Sequence, residues 1–562
     1  MTSTNNVFPP STAIILSAGE LPESVRAAFG KTSPSMLPVN GRPIIHWSIS
    51  YLKAQGVSRA IIAVRRGETR VQQFTAHCFG ENTALEFIEI DEDRGPGFSL
   101  AKCLERCGLS APILIVLGDT LFSFAPLSES MTSSSFALSY PVPDAARWCL
   151  AKTDGDRITD LLEKPTRNDQ NLPALIGVYF LTNPGLALDA LNLEIVAGNR
   201  RIQISHALAP FIARGELKSI SAGEWFDCGH ADFFNQSRRR LLKSRDFNSL
   251  QIDELRGTLT KRSSHTEKFL GEINYYRLLP PDLAAFFPRL LDFSINPAKA
   301  HLTLEYYGYP TLSEVWVFED FGASFWRGVF ELLERVLQCF GEYRLKLSEN
   351  TVSRFYWGKT CERIDAFAKQ SPGFAALVAA DEITLNGESL IGWAALRPKV
   401  EEAIRVLSRN SVGAIIHGDL CFPNILFDPV AHVFKFIDPR GNFGEAGLFG
   451  DQRYDLAKIL HSIDGGYDFL IHDMFTMTAE GTKIELNQIF PSQRNEVLQA
   501  FVDVFGRKYD LRELRLIEGL LFVSMCPLHS DAPARQVAMF AIGLRLLSEA
   551  LNKPAGGLPL SP

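Results

Sequence analysis

The chain has 562 residues, a formal net charge of -7, 46% hydrophobic residues and 22% charged residues. This composition is typical of a globular protein. At about 150 residues per domain, the length predicts three or four units, and two larger units are the alternative. A negative net charge provides no basic excess to offset phosphates, which argues against nucleic-acid binding.

Cysteine usage and hydropathy predict a reduced, cytoplasmic protein. The nine cysteines are scattered, odd in number, and form no C-x-x-C pair. The first residues lack the charged and apolar regions of a signal peptide, and no apolar run reaches the length of a membrane span. We therefore expect no membrane insertion. Residues 553–562 read as a frayed tail.

In the N-terminal part, short apolar runs alternate with helical patterns. Pro43 is expected to open a helix that ends at Gly56. This alternation predicts an α/β domain with a mostly parallel, Rossmann-like sheet and helices on both faces. In such a sheet, ligands bind beyond the carboxyl ends of the strands. Strands are predicted at 13–16, 60–64, 85–90, 112–117 and 176–180.

An ordered set of short motifs runs through residues 10–240. The set comprises SAG at 17–19, LPVNGRPII at 37–45, RGPGFSLA at 94–101, LGD at 117–119, EKP at 163–165 and WFDCGH at 225–230. In this order the motifs resemble those of the sugar-phosphate nucleotidyltransferases. The resemblance implies that a substrate phosphate attacks the α-phosphate of a nucleoside triphosphate.

The resemblance implies roles for residues in four of these motifs. Asp119 and Asp227 would hold one Mg²⁺, which neutralises the clustered phosphates. Lys164 would contact the phosphate of the substrate, and Gly95 and Gly97 would let the backbone approach the base or ribose. Two plainer interpretations stay open, namely a strand-end turn residue for Asp119 and a surface lysine for Lys164.

The first loop departs from the family pattern. The family has a glycine-rich loop with an arginine, followed by Pro-Lys-Pro, whereas only Gly19 of the glycines is present here and Pro34 stands at the lysine position. A triphosphate needs backbone N–H groups and at least one cation. Arg26 and Lys31 are the candidates to supply that charge. The domain is therefore either a divergent enzyme or one that has lost activity, and the presence of both carboxylates favours the former.

From about residue 246 the pattern changes. A hairpin is predicted from 247–255 and 257–261, followed by a helix at 267–279. Strands are predicted at 301–307 and 314–318. Helices are predicted at 325–346 and 398–409, with three more in 492–552.

The stretch 415–440 holds the most informative motif. His417 and Asp419 are followed by Asn424 and then by Asp438, each after an apolar run or in a tight turn. Phosphoryl transfer from ATP needs one carboxylate to orient the attacking hydroxyl, and an amide and a second carboxylate to hold Mg²⁺. A chance acidic turn between two strands is the alternative.

The spacing resembles the catalytic and metal-binding loops of protein kinases, with HGD and IDP in place of HRD and DFG. In that form it is similar to the aminoglycoside phosphotransferase and choline kinase family. The resemblance implies a two-lobed kinase-like domain in which Lys261 binds ATP and Glu272 pairs with it. A turn lysine is the alternative for Lys261. Asp451 and Asp455 are expected to cap or brace the catalytic loop.

Aromatic residues are frequent in this half. They include Tyr275, Tyr276, Tyr306, Tyr307, Tyr309, Phe355, Tyr356 and Trp357. Such residues can form a cage for a quaternary ammonium group, or they can pack an ordinary core.

Together the motifs predict a bifunctional enzyme with domains at 1–245 and 246–552. The kinase would phosphorylate a hydroxyl of a small molecule with ATP and Mg²⁺. The nucleotidyltransferase would join that phosphate to a second nucleotide, from CTP or UTP, for surface polysaccharide or lipid decoration. Two alternatives are antibiotic inactivation, which the fused domain disfavours, and a non-catalytic N-terminal module that regulates the kinase.

Overall fold

The computed structural model describes most of the chain. The described residues are 11–23, 25–26, 30, 32–39, 41–80, 83–123, 127–142, 145–167, 171–230, 234, 237, 248–253, 255–319, 321–409 and 411–552. They divide into two compact units, Met1–Leu242 and Lys243–Pro562.

A nine-stranded sheet forms the centre of the N-terminal unit. The five strands predicted from apolar runs are confirmed to within a few residues. The first four in spatial order are parallel. In spatial order the strands are Ala84–Ile90, Arg59–Arg65, Thr12–Leu16, Ile113–Leu117, Pro173–Leu181, Ser135–Pro141, Leu217–Ser221, Arg157–Glu163 and Cys149–Asp154.

The prediction of a mostly parallel sheet was wrong for most of the remaining pairings, although Leu217–Ser221 runs parallel to Ser135–Pro141. Pro173–Leu181 runs antiparallel to both of its long neighbours. Cys149–Asp154 and Arg157–Glu163 form a hairpin, in which Gly155 takes a positive φ of 63°. A two-residue connection can join only antiparallel strands, and glycine adopts the required backbone conformation without strain. The sheet is therefore mixed.

Helices and loops cover both faces of the parallel half. Ile61 and Ile62 point to opposite faces of the same strand, and both are fully buried. Continuous burial of this kind explains the uninterrupted apolar runs in the sequence. The helices of this unit include Ile44–Ala54, Thr69–Phe79, Pro96–Leu104, Glu129–Thr132, Pro184–Val196 and Ile204–Ala213, and shorter strands lie at Pro38–Val39, Arg42–Pro43, Thr120–Ser123 and Glu224–Asp227.

The C-terminal unit begins with a four-stranded antiparallel sheet. The predicted hairpin is confirmed as Asn248–Asp253 and Thr258–Ser263. His301–Glu305 and Leu290–Ser294 complete the sheet. The predicted helix at 267–279 is confirmed as Thr266–Leu278.

The strand predicted at 314–318 was wrong, because these residues form the helix Leu312–Phe318. The Oγ1 of Thr311 accepts a hydrogen bond from the N–H of Glu314 at 3.1 Å. The N–H of Thr311 donates to the Glu314 carboxylate at 2.9 Å. This is a capping box, and its T-x-x-E pattern was readable in the sequence. All seven helical residues are buried, so no amphipathic period identified the helix.

Helices dominate the remainder, and those predicted at 398–409 and in 492–552 are confirmed. The helix predicted at 325–346 ends at Glu342, and Arg344–Lys346 is a strand. None of the helices among the described residues is long and apolar enough to span a membrane. The helices are Ala323–Glu342, Glu349–Ser353, Lys359–Ala368, Pro372–Ala379, Trp393–Arg409, Gln452–Ile463, Tyr467–Ile471, Arg494–Phe505, Leu511–Met525 and Pro533–Asn552. The further strands are Glu382–Leu385, Glu388–Ile391, Val412–Ile415, Ile425–Asp428, Val433–Phe436, Phe449–Asp451, Phe475–Glu480 and Lys483–Gln488.

Candidate active sites

Two carboxylates meet beyond the sheet of the N-terminal unit. Asp119 follows the central strand Ile113–Leu117, and Asp227 ends a short strand that pairs Asp227 with Thr120. A Cβ built on Gly229 would lie 2.6 Å from Oδ2 of Asp119 and 3.4 Å from Oδ1 of Asp227. Both predicted metal ligands therefore lie against the same glycine, whose missing side chain leaves room for them.

The electrostatics of this pair favour a bound cation. Burial and then the charge of Asp227 raise the pKa of Asp119 to about 6. His230 lies 2.6 Å from Asp227 through Nδ1, and this hydrogen bond raises the pKa of His230. Lys164 is exposed, with a positive φ of 44°, and its charge opposes the rise at Asp119. A divalent cation would offset the repulsion between the carboxylates.

The donor set fits Mg²⁺. Within the described ranges, no group of three or more His, Cys, Asp or Glu side chains is arranged to hold a metal ion. Mg²⁺ does not need such a group, because it commonly takes one or two protein carboxylates and completes its shell with phosphate oxygens and water. Asp119 and Asp227 supply that pair.

The divergent first loop is anchored by hydroxyl groups. Ser17, at the end of the first strand, hydrogen-bonds with Ser33 at 3.1 Å and also with Ser35. Ser33 and Ser35 lie 3.1 Å apart. Pro34, at the position of the family lysine, starts a buried 3-10 turn. The segment therefore packs onto the sheet and presents no cation at this position.

The other residues predicted for nucleotide binding are spread along this loop. Gly19 is exposed, and its carbonyl accepts a hydrogen bond from Arg65 at 2.8 Å. Arg26 lies 3.7 Å from Glu20, with both side chains about half exposed. Lys31 lies outside the described residues, so its predicted role stays a prediction.

Gly95 and Gly97 lie close to the backbone of Ile202 and Gln203. Gly95 has a φ of 87°, and a Cβ there would lie 2.7 Å from the carbonyl oxygen of Ile202. A Cβ on Gly97 would lie 2.6 Å from the carbonyl oxygen of Gln203. Both glycines are therefore required by packing at the start of the helix Pro96–Leu104, whatever part they take in nucleotide binding.

Three residues predicted for the second site converge. Lys261 donates to both oxygens of Glu272, at 3.0 and 2.8 Å, and to Oδ1 of Asp438 at 2.8 Å. Burial and the charge of Asp438 raise the pKa of Glu272 to about 7, and Lys261 opposes this rise. Asp438 is half exposed and has a φ of 56°. The buried lysine thus connects the sheet, the first helix and the loop at 438.

Asp455 holds the backbone of the loop at 417–419. Its two carboxylate oxygens accept hydrogen bonds from the N–H groups of His417 and Gly418, at 2.7 and 2.8 Å. The predicted brace is therefore Asp455. Asp451 instead accepts from the N–H of Arg453 at 3.0 Å and caps the helix Gln452–Ile463.

His417 contacts backbone groups of this loop and of the neighbouring segment through its ring. It is fully buried, its Nε2 lies 3.0 Å from the carbonyl oxygen of Ile437, and its Nδ1 accepts from the N–H of Asp419 at 3.2 Å. Burial lowers the pKa of His417 to about 4, which keeps the ring neutral. The burial of His417 favours a positioning role in this motif, and the catalytic role predicted for it stays a prediction.

Asp419 is accessible and strongly acidic. Its side chain is 41% exposed, and Oδ1 lies 2.8 Å from Nζ of Lys458. Burial raises the pKa of Asp419, but the charges of Lys458 and Arg440 outweigh this and hold the pKa below its usual range. Asn424 donates through Nδ2 to the Asp419 carbonyl at 2.9 Å, which leaves its amide oxygen available as a ligand. The N–H of Ile437 donates to the Asn424 carbonyl, so Asn424 and Asp438 stand beside each other in the fold.

No sequence motif predicted Lys458 or the cations close to it. Lys458 follows Asp455 by one helical turn, so the two share a face of the helix. The sequence shows this spacing between Asp455 and Lys458. It does not show that Lys458 contacts Asp419. Lys359, Arg363 and Arg440 also influence the charge around Asp419.

Comparisons with known proteins bear on the N-terminal unit. Residues 13–185 match the family model described as "MobA-like NTP transferase domain". D-glycero-alpha-D-manno-heptose 1-phosphate guanylyltransferase of Aneurinibacillus thermoaerophilus is 20% identical over 234 residues, which is 41% of this chain and 97% of the relative. Glucose-1-phosphate thymidylyltransferase of Streptomyces antibioticus is 22% identical over 299 residues, or 51% of this chain and 81% of the relative.

Two solved structures are similar to part of the chain. A putative glucose-1-phosphate thymidylyltransferase from Bacillus anthracis, in complex with a sucrose, has a TM-score of 0.38 and 20% identity, covering 42% of this chain and 96% of its own. HddC from Yersinia pseudotuberculosis has a TM-score of 0.33 and 18% identity, covering 41% and 99%. The family match, with the sequence relatives, makes the N-terminal unit nucleotidyltransferase-like.

Proposed function

We propose that the chain is a bifunctional enzyme that phosphorylates a small-molecule hydroxyl and then transfers a nucleotidyl group to the new phosphate. The match of residues 13–185 to an NTP transferase domain, with Asp119 and Asp227 together, supports the second step. The contact of Lys261 with Glu272 and Asp438 supports the first. The product is a nucleotide-activated sugar, polyol or amino alcohol for surface polysaccharide or lipid decoration.

In the phosphotransferase site, Asp419 receives the proton of the attacking alcohol. The oxygen of the alcohol forms a bond to the γ-phosphorus of ATP, and the bond to the β,γ-bridging oxygen breaks to release ADP. Asp455 and His417 fix the loop, so that Asp419 is presented at its surface. Lys261 orients the phosphates of ATP, and Glu272 orients Lys261.

In the nucleotidyltransferase site, an oxygen of the substrate phosphate bonds to the α-phosphorus of the second nucleotide, and pyrophosphate leaves. Lys164 contacts the substrate phosphate, which its exposed position near Asp119 permits. CTP or UTP is the proposed second nucleotide. The two relatives are named for guanylyl and thymidylyl transfer, so GTP and dTTP belong in the same test.

Both sites offer oxygen ligands that suit Mg²⁺. Asp119 and Asp227 would hold it in one site, and the Asn424 amide oxygen and Asp438 in the other. Bound there, the ion neutralises charge on the phosphates.

The second candidate is a small-molecule kinase with a non-catalytic, regulatory N-terminal domain. One observation favours it. The segment that carries a lysine in the nucleotidyltransferase family is held against the sheet here by hydrogen bonds among Ser17, Ser33 and Ser35. Arg26 lies beside Glu20. This leaves Lys31, outside the described residues, as the remaining candidate cation in the loop.

The test is a panel of purified full-length protein with ATP and with CTP, UTP, GTP or dTTP against sugars, choline, glycerol and related alcohols. ADP and pyrophosphate are followed separately. The bifunctional proposal expects ADP from one acceptor, and pyrophosphate only when the second nucleotide is present. ADP without pyrophosphate from any nucleotide, and without nucleotide binding by the N-terminal unit, would establish the regulatory alternative.

A further inference from the structure

Three cations stand beside the candidate phosphotransferase site without a carboxylate partner. Lys359 and Arg363 lie one turn apart on the helix Lys359–Ala368 and share a face. Arg440 comes from the loop two residues after Asp438. No carboxylate of the described residues lies within 4.0 Å of any of the three, whereas Lys458 is paired with Asp419 at 2.8 Å. These three side chains therefore give the site a local excess of basic groups.

The ring of Phe355 lies against two of these cations, Lys359 and Arg440. Nζ of Lys359 lies 3.7 Å from the centroid of the Phe355 ring, and Cζ of Arg440 lies 5.5 Å from the same centroid. Phe443 stacks on Phe355 at 3.9 Å, which holds the loop against the helix. Thr351 also donates to Glu445 at 2.9 Å across the same contact. The arrangement is anchored by packing.

The cations repel one another, and none of them forms an ion pair with a carboxylate of the described residues, although Arg363 donates to the carbonyl oxygen of Ser524 at 3.4 Å. Burial, and then the charges of Arg440, Arg363 and Lys458, hold the pKa of Lys359 well below its usual value, while Asp419 opposes the shift. A lysine with a purely structural role would be expected to face a carboxylate. An uncompensated cluster beside a reactive carboxylate is instead what recognition of an anion requires.

The same ring is unavailable for a cationic ligand. Phe443 and Lys359 both lie within 4 Å of the Phe355 centroid, so the faces of this ring are occupied. Trp357 packs against Trp393, and Tyr356 is buried. These aromatic residues therefore serve packing. A quaternary ammonium group would also meet the positive charges of Arg363 and Arg440.

We propose that the acceptor of the phosphotransferase site is an anionic alcohol, whose carboxylate or phosphate group is bound by Lys359, Arg363 and Arg440 while its hydroxyl faces Asp419. This rests on the proposed phosphotransferase function and defines its substrate class. The chemical step is the one proposed above. The hydroxyl proton passes to Asp419, the acceptor oxygen bonds to the γ-phosphorus of ATP, and ADP leaves. The anionic group takes no part in bond making.

The first experiment compares matched acceptors with the full-length protein, ATP and Mg²⁺. The series are glycerol, glycerate and glycerol 3-phosphate, and glucose, glucuronate and glucose 6-phosphate, with choline as the cationic member. We expect kcat/KM for ADP formation to be at least about tenfold higher for an acid than for its neutral parent. The carboxylate and phosphate members of each series decide which anion is bound.

The second experiment uses variants. Lys359→Met and Arg363→Met should each raise the KM of the acidic acceptor by about 10- to 100-fold and leave the KM of ATP within about twofold. Lys399→Met, at an exposed lysine on the helix Trp393–Arg409, is the matched control and should change neither. A raised KM for ATP with an unchanged KM for the acceptor would overturn the inference, because the cations would then serve the nucleotide.

The outcomes separate this inference from the proposed function. ADP formation from neutral alcohols or choline, as efficient as from the acids, overturns the anionic acceptor and leaves the phosphotransferase standing. Absence of ADP from every acceptor in the panel overturns both. Equal melting temperatures of the variants and the control confirm that a changed KM reports binding.

Discussion

Nζ of Lys458 lies 2.8 Å from Oδ1 of Asp419 and gives this partly buried carboxylate a buried cationic partner. Lys458 is 8% exposed and lies one helical turn beyond Asp455, whose oxygens hold the backbone of the same loop. One helix thus supplies both the support of the loop and the charge that sets its acidity. The pair explains how Asp419 stays ionised although burial disfavours its charge.

Removing Lys458 should shift the pH dependence of ADP formation. A proton acceptor works only when it is unprotonated, so activity is lost as the pH falls through the pKa of Asp419. Lys458→Met removes the main influence that lowers this pKa, and burial then raises it. We expect the acid limb of kcat/KM to move to higher pH, with a loss of about 10- to 100-fold in kcat. Lys458→Arg keeps the charge and should keep the limb near its original position; an unmoved limb in Lys458→Met contradicts the assignment.

The carboxylate pair of the N-terminal unit yields a metal-dependent prediction. Asp119→Asn should reduce pyrophosphate release by about 10²- to 10³-fold, because one ligand and one charge are lost. Without Mg²⁺ the variant should melt no lower than the wild type, since it relieves repulsion with Asp227. Adding Mg²⁺ should raise the melting temperature of the wild type and not of the variant. Asp189→Asn, on an exposed face of the helix Pro184–Val196, is the control and should behave as the wild type.

Asp455 should be required for stability as well as activity. It is fully buried and accepts two backbone N–H groups, whereas Asn can offer one oxygen. Asp455→Asn should leave one N–H without an acceptor and lower the free energy of unfolding by about 1–3 kcal/mol. Urea unfolding measures this loss, and ADP formation should fall in parallel. Asp381→Asn, at an exposed acid, is the control and should stay within about 0.5 kcal/mol of the wild type. Equal stability of the two variants would contradict the bracing role of Asp455.

The sequence identified those elements whose signal is local. The strand Ile113–Leu117 is an unbroken apolar run, and the helix Thr266–Leu278 lies within one residue of its predicted bounds. The helix Leu312–Phe318 was missed because full burial removes amphipathic periodicity. The antiparallel pairings in the large sheet were missed because strand direction depends on pairing between segments distant in sequence.

In the candidate sites too, residues within one short motif were predicted, whereas residues that arrive from distant segments were not. Asp419, Asn424 and Asp438 were found because they lie in one short motif, and Lys261 because the resemblance supplied its position. Lys458 and the cations at 359 and 363 reach the site from other helices, and no local pattern marks a lysine as facing a distant carboxylate. Which side chains converge from separate segments is decided by packing, which the motif alone does not contain.

Two single variants should divide the reaction between the units. Asp419→Ala should lower ADP formation by about 10²- to 10⁴-fold and spare pyrophosphate release from a supplied phosphorylated acceptor. Asp227→Asn should do the reverse, because Asp227 lies in the other unit. Neither variant alone should convert the unphosphorylated acceptor to the nucleotide-linked product. A mixture of the two proteins with ATP, the second nucleotide and Mg²⁺ should restore that conversion, because the phosphate ester released by one is the substrate of the other. Chromatography of the nucleotide-linked product measures the conversion. A mixture that forms ADP and pyrophosphate but no linked product would show that the two activities do not share an intermediate, and the bifunctional proposal would then be wrong.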